Sequence, residues 1–552
     1  MEHQSRIANI LIRRDSGDGS RLSLTTTGWS VIWFVVLLLF LPSLSFPLGP
    51  DNGLFFVAGE KIVHQGAIHY RDIVDVKPPM IYYVNALAIT LFGDSPISIR
   101  LLDLFCQLLT TFFLVRLIRR VSGSGVWAGV AMLLFPLLYL SLNYANTAQV
   151  ESFIGLCTLP AIGLFLFRRS GTGFLGIGLL CGILTIFKFT FGITLAGFLI
   201  GDLLLFQDNW KDRLQRYAMM GAGYGIIIGL FFLYLFGFDA WNGFLEMQQF
   251  LGGYTGIQFA SKGDMIREGL TQLPRLMSDE YSLTLLFGTI VAMGWAFVPG
   301  RGGDKSGKGL TGNRTAELLR ISTFLFLLLL LTIGIEGKWL HYHLSRLFAL
   351  GALLGSFGLV RIGRALFARP IDRFRWIGFG LALLLLFGFS PLTRYLFHIR
   401  PALLYVTKGP EAFDAFYAHV RNADDWTMED VKEIGSYLSS RLEPQDKLYI
   451  SSGVAGLLYR ASGYVPEVPI FHSGFLIAPF SPPAWMDSTI SYLTTVKPRF
   501  IVLHRSDRMA IITGTNETSE ELFHRIPETA HLLDEEYEVV MERPGFQVYE
   551  RK

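Results

Sequence analysis

Residues 29–56 read WSVIWFVVLLLFLPSLSFPLGPDNGLFF. The run to residue 46 is almost wholly apolar and is long enough to cross a bilayer core as a helix. Pro47 and Pro50 then break it, and the next residue is an acid, Asp51. A chain that leaves lipid and at once presents a carboxylate points to a membrane protein with chemistry at one face.

Working outward, further apolar spans fall near 96–115, 125–142, 152–167, 173–187, 190–206, 217–236, 282–298, 320–334, 344–360 and 376–392, eleven in all. The 173–187 and 190–206 segments are short, with Lys188 between them. Segment 80–92 is too short to span easily and is placed as a helix on the membrane surface. Composition agrees: 51% of residues are hydrophobic and 17% charged, against roughly 25% charged in soluble domains. Mean hydropathy is +0.41. No basic stripe dominates a soluble part, which excludes a nucleic-acid partner. Cys106, Cys157 and Cys181 all lie in apolar segments and read as small membrane hydrophobes. The polar N-terminal segment, residues 1–27, does not resemble a cleavable signal.

Lys and Arg gather on the cytoplasmic side of membrane proteins. With the N-terminus inside, the inner segments hold 22 of them in 88 residues and the outer segments 9 in 121. This expectation puts residues 47–95, the loop at 237–281 and everything after 392 on the outer face of a plasma (bacterial inner) membrane. The tail, residues 393–552, reads as a small α/β domain. EDVKEIGSYLSSRL is an amphipathic helix, DKLYIS and PRFIVLH are buried strands, and the end is a hairpin turning at Pro544-Gly545.

Each candidate site residue has a structural alternative. Asp51 is either a base at a partly desolvated boundary or an N-cap for the helix that follows. Tyr70, Asp72, Asp75 and Lys77-Pro78-Pro79 close the same loop; Lys77 meets a phosphate or snorkels. Glu151 begins a span, as a functional acid or one favoured by the helix dipole. Arg100 and Lys188 sit at outer span ends and suit a lipid phosphate, of a substrate or of a headgroup. Lys338, His341, Tyr342 and His343 suit a phosphorylated ligand beyond what an aromatic belt needs. GGDKSGKGL at 302–310 has Gly309 where a P-loop has Ser or Thr, so it is a flexible basic loop.

The order of these pieces resembles the GT-C glycosyltransferases, in particular relatives of the protein O-mannosyltransferases and of the lipid A aminoarabinose transferase. Asp51, Gly59, Gly66, Tyr70, Asp75, Lys77-Pro78-Pro79, Phe92-Gly93 and Arg100 follow the family's first loop. AQVESF at Glu151, FKFTFGI at Lys188 and HYHL at His341-Tyr342 match later motifs, and the tail resembles the family's soluble domain. Asn52 departs from the pattern, since many relatives carry a second acid there.

The resemblance implies a polytopic helical membrane protein that moves a sugar from a polyprenyl-phosphate donor to a hydroxyl of an envelope glycan, lipid or protein. Asp51 is implied as catalytic base with Glu151 assisting. Lys77, Arg100, Lys188, Lys338, His341 and Tyr342 are implied at the donor phosphate, and inversion at the anomeric carbon follows from direct displacement. No cofactor is required by this reading, and the need for a divalent cation stays open. Two rivals are a transporter or flippase for lipid-linked sugars and a non-catalytic relative that binds polyprenyl phosphate. The lack of visible internal repeats counts against the transporter.

Overall fold

The computed structural model describes residues 12–14, 22–206, 208–257, 262–298, 310–367, 390–418, 420 and 425–552. The span expected at 376–392 lies outside these up to residue 389, as do most of residues 1–27 and the glycine-rich loop up to residue 309.

A short antiparallel hairpin, β1 (Ile12–Arg14) and β2 (Leu22–Leu24), precedes the helices. These are α1 (Thr26–Phe40), α2 (Pro50–Gln65), α3 (Met80–Phe92), α4 (Ile97–Ser122), α5 (Gly125–Tyr139), α6 (Ile154–Phe167) and α7 (Gly171–Phe187). They continue with α8 (Ile193–Leu205), α9 (Trp210–Gly237), α10 (Trp241–Gly256), α11 (Lys262–Leu276), α12 (Leu283–Phe297), α13 (Leu310–Glu336) and α14 (Ser345–Phe367). Among the described residues seven helical runs are long and apolar enough to cross a membrane, and Met80–Phe92, Gly125–Tyr139, Gly171–Phe187 and Phe189–Leu205 are shorter apolar helices. Residues 237–281, read above as a loop, are mostly helical: α10 and α11 lie within them.

The sequence carries the signals that start and stop these helices. Thr25 and Ser124 accept the backbone N–H groups of Gly28 and Trp127, at 3.0 and 3.2 Å. Pro136 and Pro160 stand inside α5 and α6; neighbouring helices in a bundle make such prolines tolerable.

The chain divides into two compact units. The first comprises Met1–Leu44, Leu102–Leu230 and Arg267–Ile399 and holds most of the long apolar helices. In its core the Trp127 indole donates to the Leu353 carbonyl and to Ser356 Oγ, both at 3.0 Å, tying α5 to α14.

The second unit comprises Ser45–Leu101, Phe231–Ile266 and Arg400–Lys552. Its boundary differs from the one read at residue 393, because the first loop and the C-terminal domain form one body. The domain is a four-stranded mixed sheet of β3 (Leu448–Ser451), β4 (Phe500–His504), β5 (Tyr537–Arg543) and β6 (Phe546–Arg551), in the order β3-β4-β6-β5. β3 and β4 are parallel and both fully buried, so helices must cross over between them. β5 and β6 form the closing hairpin.

Several contacts join the loop to this domain. α2 and the helix Ala455–Ser462 approach so closely that a Cβ on Gly456 would sit 2.4 Å from the Leu54 nitrogen, and one on Gly53 would sit 2.6 Å from Leu457. The Val74 N–H donates to the Pro469 carbonyl at 3.0 Å. Lys61, a buried residue of α2, spends its ammonium on three carbonyls: Val468 at 2.7 Å, Asp72 at 2.8 Å and Glu467 at 3.2 Å. Burial still pushes its pKa down to about 8.

Replacing Lys61 with Met leaves those carbonyls without their donor at a cost of about 1–3 kcal/mol. A clear fall in the apparent Tm of the detergent-solubilised protein is expected; an unchanged Tm would refute the clamp. Its neighbour Glu60 is raised by burial from 4.5 to about 7, although Arg460 at 3.5 Å pulls the other way. The folded state then holds the Glu60 proton more tightly than the unfolded state does. Its contribution is full below pH 4.5 and is lost as pH rises through about 7, by roughly 3 kcal/mol. Glu60→Gln should therefore flatten the decline of Tm over that interval, as a pH series of melting curves would record.

Candidate active site

In the first unit the loop after α5 is held by a hydrogen-bond network. Tyr139 Oη on α5 donates to both Asp103 oxygens, each 2.8 Å away, and accepts the Ala148 N–H at 2.9 Å. Gln107 on α4 donates to Asp103 at 2.9 Å and to the Ser152 carbonyl at 3.2 Å. Ala148 turns the chain at φ 55°, and Gln149 and Ser152 cap the 3-10 turn Val150–Phe153 reciprocally. Glu151 is thereby held fully inside the unit.

It meets a second acid there. Lys188, in the break between α7 and α8, donates to Glu151 Oε1 at 2.7 Å and to Glu336 Oε2 at 2.8 Å. Arg346, at the start of α14, donates to Glu151 Oε1 at 2.8 Å and reaches both Glu336 oxygens, at 2.9 and 2.7 Å. Thr190 donates to Glu336 at 2.6 Å. His343 Nε2 lies 3.6 Å from Glu336 and 3.9 Å from Glu151. Two carboxylates are answered by two basic side chains, which is how buried charges are tolerated.

The loop between α13 and α14 divides its residues. His341 turns away from His343, and its Nδ1 pairs with Glu280 at 2.6 Å, a carboxylate also held by Arg394. Lys338 is buried, which lowers its pKa to about 8. Tyr342 packs edge-on against His343, ring centroids 4.8 Å apart.

In the second unit, Asp51 sits in the first turn of α2, but Gly49 is the N-cap and Pro50 the first helical residue. Asp51 therefore does not cap the helix, and its half-exposed carboxylate stays directed at Lys77, whose Nζ is 3.8 Å from Oδ2. Lys77 also stands over the Phe55 ring, 4.7 Å from its centroid. Its backbone is fixed on both sides. The Lys77 N–H donates to Asp75 Oδ1 at 3.3 Å, and its carbonyl bonds His69 Nε2 at 2.9 Å. Burial pushes His69 down to about 3, so the ring is neutral and Nε2–H is the donor. Tyr70 and Tyr82 pack on either side of it, at 4.0 and 4.4 Å.

Tyr70 and Asp72 shape this loop. Tyr70 has φ 72°, and a Cβ on Gly243 would strike its carbonyl at 1.7 Å. Asp72 closes the turn by accepting the Ile68 N–H at 2.8 Å and pairs with Arg71. Arg100 is buried, with Nε and Nη2 donated to the carbonyls of Phe46 and Pro47 at 3.2 and 2.5 Å. It thereby holds the chain just before Asp51. His472, in the C-terminal domain, was not apparent from sequence. Burial lowers its pKa, Asp75 and Asp51 oppose that, and Lys77 adds to it.

Residues 76–236 match the family model described as dolichyl-phosphate-mannose-protein mannosyltransferase. That segment holds Lys77, Arg100, Glu151 and Lys188, and begins after Asp51. Among solved structures, ArnT from Cupriavidus metallidurans bound to undecaprenyl phosphate superposes with a TM-score of 0.56 at 13% identity, covering 95% of this chain and 98% of that one. The chain has the GT-C membrane fold. The apo form of the same ArnT gives 0.53 at 14% identity, with the same coverage. An Archaeoglobus fulgidus oligosaccharyltransferase with zinc and sulfate gives 0.47 at 12% identity, covering 85% of this chain and 67% of that one. No curated protein matches this chain in sequence.

Glu151, Glu336 and His343 are the described residues that could hold a metal ion. Their donor atoms lie within 4.8 Å of one another. Yet Glu151 Oε1 and both Glu336 oxygens already accept from Lys188, Arg346 or Thr190. Glu151 Oε2 has no hydrogen-bond partner, but the remaining carboxylate oxygens are held by Lys188, Arg346 and Thr190, the donor set of an ion-pair network.

Glu336, His343 and Arg346 complete the network. The signal for them was an acid ending one span and an arginine opening the next. Arg346→Met leaves Lys188 alone to offset two buried carboxylates. A loss of about 3–5 kcal/mol is expected, seen as a large fall in Tm or in folded yield. A variant as stable as the native protein would show the network to be dispensable.

Proposed function

We propose that this chain is a glycosyltransferase that moves a sugar from a polyprenyl-phosphate donor to an acceptor hydroxyl, at the outer face of the membrane and with inversion. The observation that carries this reading is the Asp51–Lys77 pair, a half-exposed carboxylate 3.8 Å from a lysine at a membrane-proximal helix start. The mannosyltransferase-type family model over residues 76–236 and the fold shared with an undecaprenyl-phosphate-bound ArnT support it.

The acceptor oxygen attacks the anomeric carbon as its proton passes to Asp51. The bond between that carbon and the phosphate oxygen breaks, and polyprenyl phosphate leaves with the electron pair. Its developing charge needs a fixed cation, which is the part assigned to Lys77. Phe55 beneath the ammonium and the bonds to Asp75 and His69 hold that cation in place with little reorganisation. Glu151, Lys188, Lys338, His341 and Tyr342 are assigned supporting parts toward acceptor and donor phosphate. Glu151 and Lys188 do so through the ion-pair network with Glu336 and Arg346. Arg100, spent on two carbonyls, positions the loop.

Replacing Asp51 with Asn keeps the shape and removes the base. Sugar transfer from a lipid-linked donor should fall about 10²–10⁴-fold, with little change in Tm. Undiminished turnover would overturn the assignment of the base. Movement of lipid-linked sugar across reconstituted vesicles, without a new glycosidic bond, would favour a transporter instead.

A further inference from the structure

Two clefts near the C-terminal end of α4 take no part in either group above. One, of about 620 Å³, is lined by residues of α4 and α6, including Phe112, Arg116, Arg120, Gly163 and Phe167, and by Arg168 just beyond α6. The other, of about 540 Å³, is lined by Trp29 and Trp33 of α1 together with Phe112, Arg116, Arg119 and Arg120 of α4. Phe112, Arg116 and Arg120 belong to both, so the two clefts adjoin along one face of α4.

Their charge is unbalanced. Among the described residues, Arg116, Arg119, Arg120 and Arg168 have no carboxylate partner. Arg119 and Arg120 instead lie over aromatic rings, those of Trp29 at 4.6 Å and Phe167 at 4.1 Å. The contrast is close at hand: Arg169, Arg213 and Arg216 are all paired with Asp202, and two of them with Asp208 as well. A helix C-terminus favours cations, and that alone would explain arginines here, but not two clefts that converge on them.

The walls above the arginines are apolar. Pro160, Gly163, Leu164 and Phe167 fall at i, i+3, i+4 and i+7 and so share one face of α6. Nothing lies within 4 Å of where a Cβ on Gly163 would be, so the wall is open there. Phe112 is 44% exposed beside it. A cationic end joined to an apolar trough is the complement of one molecule that carries a phosphate and a hydrocarbon chain.

We propose that these clefts bind an anionic phospholipid, with its phosphate on Arg116, Arg120 and Arg168 and an acyl chain along the α4–α6 trough. Arg guanidinium groups suit phosphate because their planar forks donate two parallel hydrogen bonds. The arginine bias assigns this end of α4 to the cytoplasmic leaflet, where anionic lipids attract basic clusters. The site is independent of the sugar-transfer reading and is tested without any activity assay.

The test uses the full chain in detergent, exchanged into micelles carrying phosphatidylglycerol or phosphatidylcholine, with co-purifying lipid counted by native mass spectrometry. The native protein should retain phosphatidylglycerol in preference to phosphatidylcholine. Arg116→Gln/Arg120→Gln should retain at least tenfold less. Gly163→Leu, which keeps every charge and fills the trough, should lose it as well. Both variants should keep the lipid-free Tm of the native protein, which separates loss of lipid from loss of fold. Equal retention of the two lipids, unchanged retention in both variants, or displacement of phosphatidylglycerol by inorganic phosphate alone would overturn the proposal.

Discussion

Burying a carboxylate costs several kcal/mol unless a cation is buried with it, and the centre of the helical unit is organised by that constraint. Glu151 and Glu336 come from distant parts of the chain, and each is answered by Lys188 and by Arg346. The geometry leaves little choice about neighbouring segments. Lys188 can reach both acids only because α7 stops before it and α8 starts after it. Arg346 reaches them only because the loop before α14 is short. The hydrogen bonds among Tyr139, Asp103 and Gln107 serve the same end, since they hold the loop that presents Glu151. Apolar helices alone would leave the register of this bundle loosely specified; four paired charges specify it far more narrowly.

The second unit uses charge differently. Its acid and lysine are partly exposed and face each other at 3.8 Å. The structure instead invests in the backbone around them. Gly49 and Pro50 start α2, Arg100 holds residues 46 and 47, and His69 holds the carbonyl of Lys77. A rigid scaffold around an accessible pair is what the proposed transfer would require. Arg100, which sequence suggested for a phosphate, is better understood as part of that scaffold.

Much of this was legible in the sequence because membrane helices announce themselves by length and apolarity alone. The long apolar helices and the closing hairpin at Pro544-Gly545 could be picked out from local pattern, whereas Asp51, Lys77 and Lys188 drew notice through a family resemblance. What stayed hidden was pairing over long separations. Lys61 looked like an ordinary helical lysine, since nothing nearby in sequence shows that three carbonyls wait for it. His472 stands in an unremarkable loop. Glu336 and Arg346 flank an aromatic stretch that drew notice to His341, although His341 pairs with Glu280 and lies outside the network. Residues 237–256 lacked a helix signal because α10 mixes glycine and aromatics without a clear apolar stripe.

The bond from Lys61 to Val468 also sets an order in time. The two residues are 407 positions apart. At about 5–20 residues per second, a ribosome needs roughly 20–80 s to make the chain between them. Throughout that interval α2 exists without the helix that Gly53 must meet and without the carbonyls that satisfy its lysine. The loop bearing Asp51 is thus synthesised well before the surface that completes it, and nascent protein must survive that wait with an amphipathic helix and a buried-to-be ammonium both uncovered.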